Sequence, residues 1–330
     1  MVIEVLYLIY NIFTVRGNGM QDKYPLILKP VMKDYIWGGT RLKTDFGFET
    51  DKDIAAEAWV LACHKDGTNT VANGLYKGKS FDEVLRLWGK NETFPILIKL
   101  IDAKDRLSVQ VHPDDEYAMK FEGEPGKTEM WYIVDAEEDA CLAYGFNRKI
   151  EKAEFEKRIK NNTLDEVINY VPVKKGDVFF ITAGTLHAIG KGILIAEIQQ
   201  NSNTTYRVSD YGRLGADGKP RALHIEKALD ATVTDVPSLP YGNVGETESF
   251  EGYTARALAE CEYFKVQSVI LDGNIKIGNE NSFVSLLVIN GNLSLRFKDE
   301  EYSLKMGDSV YIPDNIAVEL EGKAEIIVSR

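Results

Sequence analysis

Short apolar runs dominate the chain and are separated by turn-forming Gly, Pro, Asp and Asn. The runs are rich in Val, Ile, Phe and Tyr, the residues that favour strands of a sandwich or barrel. A chain with this pattern is expected to be mainly β. We predict strands at Tyr7 to Thr14, Phe94 to Ile101, Leu107 to His112, Met130 to Val134, Asp177 to Thr182, Gly192 to Gln199, Phe264 to Leu271, Ser282 to Ile289, Leu293 to Phe297, Ser309 to Ile312 and Ala324 to Ser329.

Three segments depart from this pattern and have helical features. Ser80 to Gly89 opens with a serine suited to an N-cap, and Glu83 follows three residues later. In Lys149 to Tyr170 the apolar residues recur at the spacing of one helical face, which predicts a helical pair or insert. Ala222 to Ala231 is expected to form one more short helix. The stretch 236–250 contains prolines, glycines and few apolar residues, so we interpret it as a linker.

Two stretches of the chain resemble each other. In Gly176 to Ile181 and in Gly307 to Ile312, a Gly-Asp turn follows a lysine and leads into a β-branched and aromatic run. The repeat predicts two related β domains, although Gly-Asp before a strand is also common turn chemistry. The register pairs polar residues of the first copy with valines of the second: His187 with Val318 and, in a looser match, Glu129 with Val284.

The most informative stretch runs from Leu107 to Asp115. Because side chains alternate along a strand, Ser108, Gln110 and His112 are predicted to share one face. Pro113 then ends the ladder, which leaves His112 at a strand end where a pocket could open. Such a face is either exposed to solvent or lines a polar pocket. A lone histidine there is more often an ordinary surface or core residue than a metal ligand.

Two further segments supply groups that could join His112 at a metal. Glu129 opens a predicted strand with Lys127 on the same face, and His187 lies in a loop of small residues after another strand. Two histidines and a carboxylate, completed by Gln110 or water, suit a borderline ion such as Zn²⁺. Taken singly, each segment is typical of an ordinary surface or loop.

A dense polar run follows the predicted strand that ends at Gln199. It contains Arg207 and Arg213 as fixed cations and Asp210 as a candidate acid or base. Such a density of polar residues is unusual just after a strand of a packed barrel. Composition alone nevertheless favours a solvated loop with a surface ion pair.

Composition and charge narrow the class of protein. The chain has 330 residues, of which 44% are hydrophobic and 27% charged, values typical of one large or two ordinary soluble domains. The net charge of −12 argues against nucleic acid as a partner, and no segment is long enough to predict a membrane span. A small anion is still compatible if a few cations converge in one pocket. The three widely separated cysteines fit a reducing, cytoplasmic compartment.

Together these segments resemble the type I mannose-6-phosphate isomerases, in particular their short bacterial form. The segments occur in the family's order between Tyr24 and Arg213, and LSVQVHP followed by KTEMWY is a specific signal. The resemblance implies a mainly β fold of two cupin, or jelly-roll, barrels with a helical insert in the first. The matching segments are YIWGGTRL, Ile98 to Ala103, LSVQVHPDDEYA, GKTEMWY, AGTLHAIG and Gln199 to Arg213.

The resemblance also bears on the domain boundaries, because its pattern begins near Tyr24. The apolar stretch over residues 1–19 lacks a basic start and is too short for a membrane span of ~20 residues. It could be an edge strand or short helix, a weak signal or, as we favour, a translated segment ahead of a start at Met20. We therefore expect an extension over 1–19, a catalytic cupin domain with helical insertions over 20–235, a linker over 236–250 and a metal-free cupin-like domain over 251–330.

The resemblance further implies that the chain interconverts mannose 6-phosphate and fructose 6-phosphate with one Zn²⁺ per chain. Glu197, Asp210 and Lys127 all stay open as the catalytic base. The alternatives are a cupin isomerase for glucose 6-phosphate and a metal-containing cupin that binds sugar without converting it. The implied site residues are the metal ligands His112, Glu129 and His187 with Gln110 as a candidate fourth, the catalytic residues Arg207 and Lys127, and the substrate-binding residues Ser108 and Lys99.

Overall fold

The structure is a computed structural model that describes residues 23–215 and 218–330. Strands make up far more of it than helices, so the prediction of a mainly β protein is confirmed. Backbone contacts divide the described residues into two compact units. The central unit comprises residues 30–67 and 94–244, and the C-terminal unit comprises residues 23–29, 68–93 and 245–330. The predicted extension over residues 1–19, with its strand Tyr7 to Thr14, lies outside the described residues.

The central unit contains two antiparallel sheets and a short ribbon. The ribbon pairs Cys63–His64 with Gly67–Thr68. Six strands form one sheet, in this order across it: Val178–Ile181, Glu129–Ala136, Ile193–Gln200, Ile96–Ala103, Glu57–Leu61 and Val31–Lys33. Five strands form the other, in the order Ile168–Pro172, Cys141–Phe146, His187–Ala188, Val109–Val111 and Tyr206–Ser209.

A hydrophobic core lies between these two sheets. Ile133 and Ile195 from the six-stranded sheet are buried in one cluster with Leu142 and Tyr144 from the five-stranded sheet. Burying a large apolar side chain contributes roughly 1.5–3 kcal/mol. The inner faces of the sheets are therefore the main source of stability in this unit, and any polar group among them needs a partner.

Helices cover the outer face of the five-stranded sheet. The helix Lys152–Lys160 packs Phe155 into the same cluster as Val109 and Val111, and the helix Ile225–Ala231 contributes to that cluster as well. Because side chains alternate along a strand, the residue between the two valines faces the space between the sheets. The predicted polar face of this strand therefore points inward.

Within the described residues the α-helices are Arg41–Thr44, Phe81–Leu87, Asp115–Phe121, Lys152–Lys160 and Ile225–Ala231, with a 3-10 turn at Leu164–Glu166. The predicted helices at Ser80 to Gly89 and Ala222 to Ala231 are confirmed. Glu83 Oε2 accepts a hydrogen bond from the Ser80 amide at 3.1 Å, as the capping pattern predicts. The longest helix has nine residues, so no helix of the described chain could cross a bilayer.

The helical pair predicted for Lys149 to Tyr170 is only partly right. The helix Lys152–Lys160 and the turn after it are present, but Ile168–Pro172 is a strand of the five-stranded sheet. Ile168 and Val171 are β-branched and buried. Pairing with a neighbouring strand therefore overrides a spacing that also suits a helix.

The helix Asp115–Phe121 is an addition to the predicted elements. The Asp114 carboxylate caps it by accepting a hydrogen bond from the Tyr117 amide at 2.8 Å. An N-cap aspartate followed by Asp115 and Glu116 is a helix-start signal that the sequence does contain. The helix begins two residues after Pro113, so the strand Val109–Val111 is followed closely by a helix.

The C-terminal unit is built on one antiparallel sheet. The predicted linker 236–250 is strand over its last four residues, and the predicted runs at 282–289 and 293–297 merge into one strand. Val284, Val318 and Val328 lie in one buried apolar cluster. The strands, in order across the sheet, are Thr247–Phe250, Tyr253–Glu260, Lys265–Asn279, Ile316–Ser329, Val284–Phe297, Ser309–Ile312, Leu26–Lys29 and Thr70–Val71, and Glu300–Lys305 pairs with Val284–Phe297.

The units differ from the predicted domains in one respect. The predicted domains are continuous in sequence, whereas the C-terminal unit also includes residues 23–29 and 68–93. Within that unit, Leu26–Lys29 pairs with both Ser309–Ile312 and Thr70–Val71. Hydrogen bonding between strands distant in sequence leaves no local signal, so the sequence did not indicate this membership.

The Gly-Asp turn of the predicted repeat has the same hydrogen bonds in both units. The glycine amide donates to a strand carbonyl, and the aspartate carboxylate accepts from the amide of a preceding lysine. These bonds are Gly176 N to Ile133 O (2.8 Å) and Lys174 N to Asp177 Oδ2 (3.0 Å) in the central unit, and Gly307 N to Val288 O (2.8 Å) and Lys305 N to Asp308 Oδ2 (2.8 Å) in the C-terminal unit. The strand register also agrees, with Ile181 opposite Glu129 and Ile312 opposite Val284. The repeat is confirmed at this turn, including the match of Glu129 with Val284.

Candidate metal centre and active site

Three buried side chains of the central unit converge between its sheets. His112 directly follows the strand Val109–Val111, and His187 opens a strand that pairs with it, with His187 opposite Gln110. Glu129 opens a strand of the six-stranded sheet. The three residues lie between 17 and 75 positions apart in the sequence, and the fold brings them together from both sheets.

The geometry of this cluster is that of a metal site. One ligand atom from each of His112, Glu129 and His187 lies within 4.8 Å of the others, and no other such cluster occurs in the described chain. Glu129 Oε2 is 3.7 Å from His112 Nε2, and Glu129 Oε1 is 3.5 Å from His187 Nε2. All three side chains are essentially inaccessible to solvent. An ion bound among them would be held by two imidazole nitrogens and a carboxylate.

Hydrogen bonds fix both imidazoles in the orientation that a metal requires. His112 Nδ1 lies 2.9 Å from the Thr204 carbonyl oxygen, and His187 Nδ1 lies 2.8 Å from the Thr185 carbonyl oxygen. A carbonyl can only accept, so each Nδ1 carries the proton and each Nε2 keeps its lone pair. Burial lowers the pKa of His112 well below its ordinary value and that of His187 to about 4, so both rings are neutral near pH 7.

The atoms that face the centre of the cluster lack hydrogen-bond partners. His112 Nε2 and Glu129 Oε1 are buried and have no hydrogen-bond partner in the described chain. Lys127 Nζ does lie 2.9 Å from Glu129 Oε2, as an ion pair. Burial, and then the nearby Glu197 carboxylate, raise the pKa of Glu129. Unsatisfied buried groups are costly, and a divalent cation would satisfy all of them, so the residues fit a metal.

A second charged group lies beside this cluster. Glu197 Oε1 is 2.9 Å from Lys99 Nζ and 3.6 Å from Lys127 Nζ, and Glu197 Oε2 accepts a hydrogen bond from Trp131 Nε1 at 3.0 Å. Burial alone would raise the pKa of Glu197, but Lys127 and Lys99 lower it to about 2. Glu197 is therefore an ionised carboxylate held between two lysines.

Gln110 stands at the edge of the metal cluster. Its Nε2 lies 3.3 Å from His187 Nε2. Rotation of the amide by half a turn exchanges this nitrogen for Oε1, which is an acceptor of the kind that binds metals. The side chain is thus close enough to serve as the fourth group that the sequence suggests.

A cavity of about 270 Å³ leads to the cluster. Gln110 and Lys127 form part of its wall and contact His187 and Glu129 of the buried triad. Residues from both sheets and from the loops line it, including Tyr35, Trp37, Glu57, Lys99, Ser108, Glu197, Arg207 and Arg221. The structure therefore brings the predicted pocket residues Lys99, Ser108, Lys127 and Arg207 to one cavity beside the predicted metal ligands.

A larger cavity, of about 490 Å³, lies next to this one. Arg106, Asp210 and Arg213 line it, and Arg221 lines both. Neither cavity is lined by the three clustered side chains, but only the smaller one is lined by Gln110 and Lys127, which contact them. Chemistry rather than size therefore identifies the smaller one as the candidate active site. Asp210, which the sequence leaves open as a catalytic base, lines the larger cavity. Its carboxylate forms ion pairs with Arg213 and Arg221.

Arg207 is positioned by the segment that precedes the helix Ile225–Ala231. Its amide donates to His224 Nδ1 at 3.0 Å, and its Nη1 donates to the Ala222 carbonyl at 2.9 Å. Its Nε is buried and has no partner. Arg207 lies opposite Gln110 across two paired strands and lines the same cavity, where its Nε is a donor without a partner.

Sequence reasoning missed Arg221 as a residue of this cavity. It follows Lys219 and Pro220 in an irregular segment with no periodicity. The signal that could have found it is indirect: Asp210 and Arg213 sit in the polar run, and a buried aspartate needs cationic partners. Only the folded chain shows that Arg221 is one of them.

A mainly β chain with a buried His-Glu-His cluster that could hold a metal ion, beside a cavity, is typical of cupin-type proteins. Models of two domains of one enzyme family match this chain. They are the catalytic domain of type I phosphomannose isomerase, over residues 26–143, and the cupin domain of mannose-6-phosphate isomerase, over residues 254–330. The resemblance seen in the sequence motifs and the expected cupin fold are both confirmed.

Individual relatives lead to the same family. The chain is 43% identical to mannose-6-phosphate isomerase ManA of Bacillus subtilis over 93% of its own length and 98% of that protein, and 38% identical to mannose-6-phosphate isomerase of Streptococcus mutans with the same coverage. The crystal structure of mannose 6-phosphate isomerase from Bacillus subtilis matches with a TM-score of 0.87 and 39% identity, over 93% of this chain and 100% of that one. The chain belongs to the type I mannose-6-phosphate isomerase family.

Proposed function

We propose that the chain is a mannose-6-phosphate isomerase, which interconverts mannose 6-phosphate and fructose 6-phosphate. The observation that carries the proposal is the buried His112, Glu129 and His187 cluster, whose unsatisfied atoms lie next to a cavity with several cations. An aldose–ketose isomerase needs these components together: a Lewis acid at the reacting oxygens, and cations for the developing oxyanion and the phosphate.

The ion that we propose is Zn²⁺, one per chain. His112, Glu129 and His187 would hold it through two imidazole nitrogens and a carboxylate, with Gln110 or water as the fourth ligand. Neutral imidazoles with a carboxylate are a common donor set for zinc at catalytic sites. When bound, the ion would supply Lewis acidity to the oxygens on C1 and C2. The equivalent positions in the C-terminal unit are valines, which supports a single ion per chain.

The chain's own side chains would handle the charge and the proton. The reaction removes a proton from C2 of the aldose and returns one to C1, with an enediolate between the two steps. Arg207 has a buried, unpaired Nε and lies opposite Gln110, so it would stabilise the enediolate oxygen. Lys127, between the metal ligands and the cavity, would add to this stabilisation. Glu197 and Lys127 both line the cavity and are the groups in position to move the proton.

The remaining pocket residues would bind the substrate. Lys99 forms a buried ion pair with Glu197 and lines the cavity, so it would hold that carboxylate in place and contribute positive charge. Ser108 lies on the same strand face as Gln110, further from the metal cluster, and is the hydroxyl we assign to the substrate phosphate. We also propose a cytoplasmic location, because Cys63, Cys141 and Cys261 form no disulfide with one another.

The proposal is tested by a coupled isomerase assay on the purified chain together with a measurement of its metal content. We expect conversion of mannose 6-phosphate, loss of that activity after chelation, and recovery on adding Zn²⁺ to about one equivalent. Faster conversion of glucose 6-phosphate would reassign the substrate. Tight binding of either sugar phosphate without conversion, in the metal-loaded protein, would show a sugar-binding cupin instead.

A further inference from the structure

The two imidazoles of the candidate metal centre are oriented by carbonyls that differ in how they are held. His187 Nδ1 lies 2.8 Å from the carbonyl oxygen of Thr185, two residues earlier in the chain. His112 Nδ1 lies 2.9 Å from the carbonyl oxygen of Thr204, which is 92 positions further along. Chain connectivity keeps the first carbonyl close to its ring. The second depends on the contacts that hold the segment containing Thr204.

The strongest of these contacts comes from the carboxylate of Glu124. The Thr204 hydroxyl donates a hydrogen bond to Glu124 Oε1, and the Thr204 amide donates to Ser202 Oγ at 3.3 Å. Thr204 is 8% exposed and the side chain of Glu124 is 13% exposed, so little water competes for the contact. Hydrogen bonds to an ionised group are shorter and stronger than those between neutral groups. Glu124 therefore restrains Thr204 tightly.

The other oxygen of this carboxylate is anchored to a different part of the chain. Glu124 Oε2 lies 3.3 Å from Lys65 Nζ and 3.4 Å from His64 Nε2. Burial acts to raise the pKa of Glu124, but the hydrogen bond from Thr204 and the contacts with Lys65 and His64 lower it. The carboxylate is thus an ionised acceptor, fixed between the ribbon strand Cys63–His64 and Thr204.

The ribbon also contacts the residues just before Thr204. Asn201 Nδ2 donates to the Cys63 carbonyl at 3.0 Å, and Asn203 Nδ2 donates to Asp66 Oδ2 at 2.8 Å. The segment 201–204 is therefore restrained at three of its residues. The contact with Glu124 is the one made to Thr204 itself, whose carbonyl orients the imidazole.

The position of Glu124 in the sequence connects it to a second metal ligand. It lies in the irregular segment between the helix Asp115–Phe121 and the strand that opens with Glu129. Its contact with Thr204 therefore joins the segment that leads to the carboxylate ligand with the segment that orients His112. Partners outside the ligand set fix the direction of a ligand's lone pair and so influence metal affinity.

We propose that Glu124 is a positioning residue of the metal centre, which holds the Thr204 carbonyl so that the lone pair of His112 Nε2 points at the ion. The inference rests on the proposed function in that His112 is a metal ligand. It goes beyond it by assigning to the centre a carboxylate that belongs neither to the ligand cluster nor to the lining of the cavity.

The test measures the dissociation constant of Zn²⁺ by competition with a chromophoric chelator. We expect Glu124→Ala to weaken binding by roughly 3- to 30-fold, somewhat less than for the loss of a group in direct contact with a ligand. Glu124→Gln keeps an acceptor for the hydroxyl and should fall between wild type and Glu124→Ala. The matched control is Thr182→Val, which removes the hydroxyl that contacts Thr185 Oγ1 at 3.0 Å. Its effect should be less than about twofold, because connectivity already places the Thr185 carbonyl beside His187.

Two further measurements separate positioning from a general loss of stability. Thr204→Val removes the hydroxyl through which Glu124 acts, so adding Glu124→Ala to it should weaken Zn²⁺ binding no further. The visible spectrum of the Co²⁺-loaded protein reports ligand geometry. It should change in Glu124→Ala and keep its wild-type form in Thr182→Val.

Unchanged Zn²⁺ affinity in Glu124→Ala, an equal loss in Thr182→Val, or additive losses in the double variant would overturn the role of Glu124. A wild-type chain that binds one Zn²⁺ with this dependence on Glu124, but converts no sugar phosphate, would refute the isomerase proposal alone. A wild-type chain that binds neither Zn²⁺ nor Co²⁺ would overturn both proposals.

Discussion

The two units of this protein share a strand-and-turn framework, but the residues that it encloses differ in polarity. In the C-terminal unit the framework encloses an apolar cluster, and in the central unit it encloses charged groups and side chains that could hold a metal ion. The strand register matches Glu197 with Val328, because Trp131 lies opposite Glu197 and its equivalent Leu286 lies opposite Val328. The register also matches Glu129 with Val284, and the repeat predicts the match of His187 with Val318.

This difference shows that the backbone alone does not determine whether a position is core or site. The three valines are buried in one hydrophobic cluster. Their polar counterparts are at least as deeply buried. A buried polar group without a partner costs roughly 1–3 kcal/mol, so polar residues persist at these positions only where an ion or a ligand compensates. Valine supplies no ligand atom to an ion, and in the apolar cluster of the C-terminal unit it is the more stable choice.

The largest effect is expected from removing one of the two imidazoles of the central unit's cluster. His112→Ala or His187→Ala should abolish both bound metal and isomerase activity, because a site with three protein ligands cannot spare one. Metal analysis and the coupled assay measure the two losses. His64→Ala, which removes another buried histidine of the same unit outside the cluster, should retain the metal. Full metal occupancy with normal turnover in either ligand variant would show the ligand assignment to be wrong.

The next largest effect separates catalysis from metal binding within the central unit. Arg207→Ala should lower kcat by on the order of 10²–10³ while metal content stays at wild-type level, since it removes a donor that stabilises developing charge. Arg207→Lys should restore only part of the rate. Steady-state kinetics on metal-replete protein test this. A normal kcat with a raised KM would move Arg207 to the phosphate end of the cavity.

A smaller effect is expected from a substitution in the apolar cluster of the C-terminal unit. Val318→Ala should lower the free energy of unfolding by roughly 2 kcal/mol, because it leaves a cavity in a buried cluster. Metal content and kcat should not change, in contrast to His187→Ala at the matched position. Denaturant unfolding and metal analysis provide the readouts. Loss of metal in Val318→Ala would mean that the C-terminal unit also contributes to a metal site.

The smallest expected effect concerns the Gly-Asp turn, which occurs in both units. Asp177→Ala and Asp308→Ala each remove the carboxylate that accepts a hydrogen bond from a lysine amide at the turn. Each should lower the free energy of unfolding by about 1 kcal/mol. Similar losses from the two variants, measured by denaturant unfolding, would support equivalent turns. A loss confined to one variant would contradict the equivalence.

Much of this fold and site follows from local patterns in the sequence. Strand periodicity places Gln110 and His112 on one face, because side chains alternate whatever the strand pairs with. The Gly-Asp repeat predicts the match of Glu129 with Val284, because the same turn imposes the same register on the strand beside it. The motifs around His112, Glu129 and His187 identify the family, since their order and spacing are properties of the chain itself.

Other features depended on contacts between segments that are far apart in sequence. Local spacing allowed a helix at Ile168 to Tyr170, and pairing with a neighbouring strand made it a strand. Leu26–Lys29 joined the C-terminal sheet through hydrogen bonds to strands far along the chain. Propensity cannot anticipate such pairing, because the energy comes from partners that the local sequence does not contain.

The tertiary structure also decided the electrostatics of the site. The sequence left Asp210 open as a catalytic base, and the fold committed it to Arg213 and Arg221. The sequence did not single out Arg221, and the fold brought it to the cavity that contains Arg207. Residue type fixes which charges a chain carries, but the interaction between two charges depends on their separation and burial. Those two quantities exist only once the chain has folded.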